Sequence, residues 1–230
     1  MLRKIRYILA AAVLAGVILV CGGAAEKLKH YLAEETAGHI SAGKNKEVTV
    51  VIDAGHGGLD CGKIGVNGAE EKKINLEIAK LIKKFLEEDG VKVIMTRETD
   101  ERLADHQVDD LEKRVEIMNK SGAALAVSIH QNSYTDASVS GAQVFYHSKS
   151  EQGERAAGAI QAGLNELNPQ HSKKIKANDT YYILKNTEIP VVIVESGFLS
   201  NYEEAEKLME AEYQEAVAAV VAEGIKEFVF

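Results

Sequence analysis

The sequence predicts a single-domain α/β fold in which a mostly parallel, twisted sheet is flanked by helices on both faces. Three short apolar runs, 48–53, 123–129 and 190–194, have the composition of buried strands. A helical pattern separates the first run from another strand-like segment, 91–96, and this order of strand, helix and strand places both strands parallel in one sheet. With 230 residues and 46% apolar content, the chain can fill one sizeable core but hardly two.

Periodicity predicts the other elements of the domain. Apolar residues at helical spacing predict helices over 72–89, 111–119, 151–167 and 201–225, the last of them capped by Asn201. Alternating apolar residues predict a strand over 142–147, and residues 181–184, Y-Y-I-L, are expected to form a short edge strand. Residues 97–109 are charged and lack an apolar pattern, so we expect a loop there, lying over the cleft.

A hydrophobic segment precedes this domain. Residues 7–20 are continuously apolar and follow three basic residues, which is typical of a signal peptide or of a single apolar membrane-anchoring helix over 1–25. The basic residues favour an extracytoplasmic chain, secreted or anchored at the cell envelope. Lipid attachment at Cys21 is less favoured, because Val20 precedes it where lipoprotein signals have a small residue. A polar tether over 26–46 leads to a catalytic domain over 47–230.

Charge and cysteine content argue against two classes of protein. The formal net charge is -8, and an acidic chain is a poor match for the phosphates of a nucleic acid. The two cysteines, Cys21 in the apolar segment and Cys61 after a Gly-rich turn, are too few for a disulfide framework.

Chemically active side chains follow the three predicted strands. His56 lies in the Gly-rich turn after the first strand, His130 directly follows the second and Glu195 directly follows the third. The carboxyl ends of parallel strands meet at one edge of a sheet, where ligands bind in open α/β folds. Imidazole and carboxylate groups suit zinc, and a catalytic zinc keeps three protein ligands and one open position. The sequence therefore predicts a site for one Zn²⁺ at this edge.

The third ligand is expected from the helix that follows the His56 turn. Glu70 and Glu71 stand at the start of that helix, and either can reach back to the same edge. Cys61 is a less favoured ligand, because a small loop residue is its simpler interpretation.

The remaining histidines are weaker candidates. His147, at the end of the strand predicted over 142–147, is the main competitor of His130. His106 lies in the charged loop and is expected to be exposed, while His30 and His39 belong to the tether and have no expected role.

Glu195 is the candidate catalytic carboxylate. Zinc-assisted amide hydrolysis needs a group that takes a proton from water and passes it to the leaving amine. A carboxylate that leaves a fully apolar strand suits this step, because partial burial adjusts its pKa. Asp53, three residues before His56, is expected to orient an imidazole, and Ser128 and Asn132 are candidates for substrate or supporting contacts.

Five segments resemble successive motifs of the zinc-dependent N-acetylmuramoyl-L-alanine amidases, often labelled amidase type 3. They are V-V-I-D-A-G-H-G-G, E-K-K-I-N-L-E-I-A, M-T-R, S-I-H-Q-N-S and V-V-I-V-E-S-G-F-L-S-N, and the likeness covers about residues 48–226. The resemblance implies a zinc-exopeptidase-like fold, with His56, Glu71 and His130 as the ligands of one Zn²⁺ and Glu195 as the catalytic carboxylate.

The same resemblance decides between the two neighbouring glutamates and exposes one departure. Glu71 directly precedes Lys72 and so forms the E-K pair of the family motif, which Glu70 does not. Where members often carry an Asp or a Gly-rich stretch after H-G-G, this chain has L-D-C-G, which includes Cys61.

The activity that the resemblance implies is hydrolysis of the amide between N-acetylmuramic acid and L-alanine in peptidoglycan. A short chain with one N-terminal apolar segment and no separate wall-binding module is most similar to members that act on spore cortex, in sporulation and germination. Whether an activating partner protein is needed stays open. The other hypotheses are a zinc peptidase with another peptide substrate and a non-catalytic peptidoglycan-binding homologue.

Overall fold

The structure is a computed structural model that describes residues 47–230. The expected apolar helix over 1–25 and the tether over 26–46, with Cys21, His30 and His39, lie outside the described residues. Within 47–230, every helix is too short or too polar to span a bilayer.

Six strands and six α-helices form the described part of the chain. The strands are β1 (Thr49–Ala54), β2 (Lys92–Met95), β3 (Leu125–Asn132), β4 (Gln143–Tyr146), β5 (Lys176–Ala177) and β6 (Val191–Phe198). The helices are α1 (Glu71–Glu88), α2 (Gln107–Lys120), α3 (Glu151–Leu167), α4 (Tyr182–Asn186), α5 (Tyr202–Lys207) and α6 (Ala211–Val229). A 3₁₀ turn, Pro169–His171, follows α3.

All six strands belong to one sheet of order β2-β1-β3-β6-β4-β5. The first four strands in that order are parallel, whereas β4 runs antiparallel to β6 and pairs in parallel with β5. The prediction of a mostly parallel sheet is thus confirmed. As a consequence, the carboxyl ends of β1, β3 and β6 meet at one edge.

Helices cover both faces of the sheet, as predicted. One apolar cluster joins Val50 and Ile52 of β1 to α1, α3 and α6, and a second joins Val51 to α2 and α4. The central strands are therefore buried on both faces, which explains why they appear in the sequence as continuous apolar runs rather than as alternating ones.

The edge strand predicted over 181–184 is wrong, because this segment forms the short helix α4. Ile183 and Leu184 are consecutive and both buried, which a strand with one covered face does not allow. Both neighbours of β6 are already occupied by β3 and β4, so no position beside it remains for this segment. The edge strand is β5 instead.

Two predicted helices have other bounds in the structure. The single helix expected over 201–225 is two helices, α5 and α6, separated by a turn at 208–210, although Asn201 does cap α5 through a hydrogen bond from the Glu204 N–H to its Oδ1 (3.0 Å). Helix α2 begins at Gln107, four residues before the predicted start, and so takes the end of the expected 97–109 loop.

Candidate metal centre and catalytic cleft

His130 and Glu195 face the same side of the sheet. Alternation along β3 and β6 turns both side chains towards the α2 and α4 face, and the two residues are direct partners in the parallel pairing. Both lie within their strands rather than after them, since β3 and β6 extend further than predicted. The strands therefore place an imidazole next to a carboxyl group.

His56 is held in a strained turn after β1. Its φ of 62° lies in the left-handed region, which costs a non-glycine residue about 1–2 kcal/mol. The Nδ1 atom of its ring lies 2.9 Å from Asp60 Oδ2, and the other oxygen of Asp60 accepts a hydrogen bond from the Gly62 N–H (3.0 Å). Asp60 thus fixes the ring with Nε2 directed away from it.

Glu71 is the first residue of α1, and its carboxylate lies between the two imidazoles. The side chain is almost fully buried, with the residue 4% exposed. Its Oε2 accepts a hydrogen bond from the Lys63 N–H (2.7 Å) and its Oε1 accepts one from the Gln131 N–H (3.1 Å). Burial alone would raise the pKa of Glu71, but hydrogen bonds to His130 and His56 hold that pKa far below its ordinary value.

Ligand atoms of His56, Glu71 and His130 all lie within 4.8 Å of one another. Glu71 Oε1 is 3.3 Å from His56 Nε2 and 2.9 Å from His130 Nδ1, and the two rings meet edge to face with centroids 4.9 Å apart. Although burial opposes it, the carboxylates of Glu71 and Asp60 raise the pKa of His56 to about 9. Two imidazole nitrogens and one carboxylate converging at a sheet edge fit the donor set of a zinc site.

Glycines leave room for these ligands. A Cβ at position 62 would lie 2.6 Å from Glu71 Oε2, and one at position 55 would lie 2.3 Å from His130 Nε2. Gly62 also has a φ of 64°, which favours glycine. The turn over 55–62 is therefore shaped around the three donors.

Glu195 is buried beside this cluster. The residue is 8% exposed, and its Oε2 has no hydrogen-bond partner within the described chain. Burial raises the pKa of Glu195 to about 7. An adjoining cavity of about 320 Å³ is lined by His56, Gln107, Leu111, His130, Tyr181, Tyr182, Ile183, Ile193 and Glu195.

Asp53 does not orient an imidazole, contrary to expectation. Its Oδ1 accepts hydrogen bonds from Thr96 Oγ1 (2.6 Å) and Arg114 Nη1 (2.6 Å), and its Oδ2 accepts one from Ser128 Oγ (2.5 Å). All of these groups are buried. Asp53 therefore neutralises Arg114, and Ser128 belongs to this network.

Asp60, Arg97 and Arg114 surround the site and had no predicted role, although Arg97 stands in the M-T-R motif. A carboxylate four residues after His56 within the same Gly-rich turn could have suggested Asp60. Arg97 follows β2 almost directly, so the strand-end rule used for His56 applies to it as well. Arg114 lies in the middle of an amphipathic helix, where a buried arginine gives no signal in the sequence.

The competing ligands lie elsewhere. Because β4 is antiparallel to β6, its carboxyl end is at the opposite edge of the sheet, and His147 is 3.8 Å from Asp179 there. His106 is exposed just before α2, as expected. Cys61 is a partly exposed free cysteine outside the converging group, and the Asn132 side chain accepts a hydrogen bond from the Ser133 N–H.

The comparison with known families agrees with this geometry. A family model described as N-acetylmuramoyl-L-alanine amidase matches residues 50–227. The chain belongs to this amidase family. The match begins within β1, ends within α6 and includes His56, Glu71, His130 and Glu195, so the expectation of an amide-hydrolysing enzyme of this family is confirmed.

Individual amidases resemble the chain over most of their length. The germination-specific N-acetylmuramoyl-L-alanine amidase of Bacillus subtilis is 38% identical over 184 residues, which cover 76% of this chain and 77% of that protein. The amidase AmiA of Escherichia coli is 32% identical over 222 residues, covering 76% and 74%. The CwlD amidase of Clostridioides difficile, solved in complex with the GerS lipoprotein, superposes with a TM-score of 0.75 at 34% identity and covers 79% of this chain and 98% of that one.

Proposed function

We propose that His56, Glu71 and His130 hold one Zn²⁺ and that Glu195 moves protons while the amide between N-acetylmuramic acid and L-alanine is hydrolysed. The observation that carries this proposal is the convergence of three metal-ligand atoms within 4.8 Å beside a buried carboxyl group whose Oε2 has no partner within the described residues. In this fold, the three ligands come from β1's turn, from α1 and from β3.

When bound, zinc supplies Lewis-acid polarisation of the scissile carbonyl and a water activated for attack. Glu195 accepts a proton as the water oxygen bonds to the carbonyl carbon. It then delivers that proton to the nitrogen of L-alanine as the C–N bond breaks, and the remaining proton of the attacking water also passes to this nitrogen, so that the products are a lactyl carboxylate and a stem peptide with a free ammonium group. Burial in an apolar strand, with a pKa of about 7, suits a carboxyl group that both accepts and returns a proton.

The cavity next to Glu195 is the proposed substrate groove. Its floor is β6, its walls are α2 and the segment that leads into α4, and most of its lining is apolar or aromatic. Tyr181 is fixed there by an edge-to-face contact with Phe145, with centroids 5.6 Å apart. The methyl groups of the lactyl moiety and of L-alanine match such a surface.

The biological setting is also a proposal. The B. subtilis relative is germination-specific and the C. difficile amidase binds a lipoprotein, so we propose spore cortex as the peptidoglycan substrate and a docking protein as a partner. The enzyme would act outside the cytoplasm, secreted or held at the envelope or forespore surface by its N-terminal segment.

Glu195→Gln tests the proposed chemistry. We expect this variant to fold and to bind one zinc, but to lose at least about 100-fold of its activity, because an amide cannot take the proton. The measurement is digestion of purified peptidoglycan, with free stem peptides that begin in L-alanine detected by mass spectrometry. Glu188→Gln, an exposed change just before β6, is the control and should retain activity.

Three other outcomes would overturn the proposal. Full activity in Glu195→Gln would remove the carboxyl group from the reaction. Cleavage inside the stem peptide would instead indicate a zinc peptidase. Wild-type protein that binds no zinc and releases no peptide would indicate a non-catalytic peptidoglycan-binding homologue.

A further inference from the structure

Two buried arginines hold the backbone on which His56 is mounted. Arg114 is 1% exposed and Arg97 is 5% exposed, and they come from different elements, α2 and the end of β2. Both guanidinium groups point at the turn formed by residues 54–56, where the chain leaves β1.

Three consecutive carbonyl groups in this turn accept hydrogen bonds from these two side chains. Ala54 O accepts from Arg114 Nη1 (2.7 Å) and from Arg97 Nε (2.8 Å). Gly55 O accepts from Arg97 Nη2 (2.9 Å), and His56 O accepts from Arg114 Nη2 (2.7 Å). The carbonyl groups just before and just after the His56 Cα atom are therefore both held in place.

His56 is the residue in this turn that needs such support. It is the non-glycine residue with a positive φ in the described part of the chain, and its ring must place Nε2 near Glu71 Oε1. A strained backbone persists only where its surroundings over-determine it. The hydrogen bonds to Gly55 O and His56 O hold the peptide groups before and after residue 56, and so they hold its φ and ψ angles.

The charges around Arg114 and Arg97 indicate that the stability of the fold does not by itself explain two buried arginines here. Arg114 Nε binds Asp110 Oδ2 (2.6 Å) and its Nη1 binds Asp53 Oδ1 (2.6 Å), whereas Arg97 binds only carbonyl oxygens, which include Thr99 O and Lys72 O. Two cations that share one carbonyl acceptor in a buried site repel each other. Apolar residues of similar volume would often be at least as stabilising.

We infer that Arg114 and Arg97 are positioning residues that set the backbone of His56, and therefore the direction of its imidazole, for metal binding. This inference rests on the proposed zinc site. Neither arginine belongs to the converging ligand group or to the lining of the proposed substrate groove, so each acts through the carbonyl groups of the turn.

Arg114→Lys separates positioning from charge. Lysine keeps the positive charge near Asp53 and Asp110 but lacks the two Nη atoms that donate to Ala54 O and His56 O. We expect zinc affinity, measured by competition with a chromophoric chelator, to fall about 10-fold or more, as found when groups that orient metal ligands are removed. The visible absorption spectrum of the Co²⁺-loaded variant should also change, because that spectrum reports ligand geometry.

Ile160→Val is the control for lost stability. Ile160 is fully buried in α3 on the opposite face of the sheet, so this variant is destabilised without contact to the turn. Its zinc affinity and its Co²⁺ spectrum should equal those of the wild type.

Arg97→Lys is the second variant. It removes the hydrogen bond from Arg97 to Gly55 O, which still accepts one from Asn75 Nδ2 (3.2 Å), and it leaves His56 O bound to Arg114. Its loss of zinc affinity should therefore be smaller than that of Arg114→Lys. If Arg114→Lys does not fold, the zinc affinity and Co²⁺ spectrum of Arg97→Lys alone test the inference.

Wild-type affinity together with an unchanged Co²⁺ spectrum in the folded lysine variants would overturn the inference. A wild-type protein that fails to bind zinc would instead contradict the proposed function, so the two failures are distinguishable.

Discussion

At the scale of single residues, each side chain of the site is fixed by a specific partner. Asp60 sets the ring of His56, the Lys63 and Gln131 N–H groups set the carboxylate of Glu71, and strand pairing places His130 next to Glu195. Glu195 differs from the others because its Oε2 has no partner within the described chain. A carboxyl oxygen without a competing hydrogen bond is free to exchange a proton.

Asp53 gives a prediction for stability against pH. Burial would raise the pKa of Asp53, but Arg114, Ser128 and Thr96 outweigh it and hold that pKa below its ordinary value of 3.8. A lowered folded-state pKa means that Asp53 stabilises the fold above pH 3.8 and loses this effect as the pH falls through the folded value.

We therefore expect Asp53→Asn to lower the free energy of unfolding at pH 7 by about 3 kcal/mol, the low end for breaking a buried ion pair, because Asp110 still pairs with Arg114. Denaturant titrations with chelator present, from pH 7 to pH 3, measure the difference between variant and wild type. That difference should shrink below about pH 4. A constant difference over this range would show that the charge of Asp53 is not what stabilises the fold.

At the scale of elements, the loop between β1 and α1 does most to build the site. It supplies His56 and Asp60, its glycines leave space for the other ligands, and it ends where Glu71 begins α1. The loop is also tied to residues 97–106 through a hydrogen bond from the Gly58 N–H to Asp100 O (2.6 Å). Within the segment expected to lie over the cleft, Asp100 therefore supports the His56 loop, whereas Gln107, which already belongs to α2, lines the cavity.

Two glycines of this loop form a matched pair for a test. Gly62 and Gly68 both have positive φ, 64° and 86°, so alanine should cost about 1 kcal/mol of backbone strain at either position. An added Cβ at 62 would lie 2.6 Å from Glu71 Oε2, whereas one at 68 would meet nothing within 4 Å.

We expect Gly62→Ala to weaken zinc binding at least about 10-fold, because the Glu71 carboxylate must move. Gly68→Ala should lower the stability of the fold but leave the zinc affinity unchanged. Chelator competition gives the affinities and thermal unfolding gives the stabilities. Equal zinc affinity in the two variants would argue against a site shaped by the loop.

At the scale of the whole molecule, the sheet brings distant parts of the sequence together. Four residues spread from position 56 to position 195 meet at one edge because β1, β3 and β6 are adjacent and parallel. Zinc bound there would link β1's loop, α1 and β3, so the metal should stabilise the complete domain.

Zinc removal should accordingly lower the melting temperature. At free zinc about 100 times the Kd, binding contributes about 2.7 kcal/mol. For a protein of this size, that corresponds to about 5–10 °C in Tm. Differential scanning calorimetry with zinc and with chelator measures the shift in Tm. The Glu71→Gln variant should show little difference in Tm between the two conditions. A wild-type Tm that does not respond to zinc would contradict a metal site within the fold.

The sequence predicted the architecture and the converging residues because both depend on patterns that are local along the chain. Runs of β-branched residues mark buried strands, and a polar residue just past such a run lies at a sheet edge. The Asp53–Arg114 pair, by contrast, joins residues 61 positions apart and has no periodic signal. Helix α4 was missed for a similar reason: whether 181–184 forms a strand depends on which sheet edges are free, and only the complete topology shows this.

Anomalous X-ray diffraction at the zinc absorption edge, from crystals of protein purified with zinc, locates the metal itself. We expect one strong peak within bonding distance of His56, Glu71 and His130, with Glu195 beside it and not required as a ligand. A peak at another group of residues, or imidazoles of His56 and His130 turned away from a common point in the zinc-loaded crystal, would contradict it.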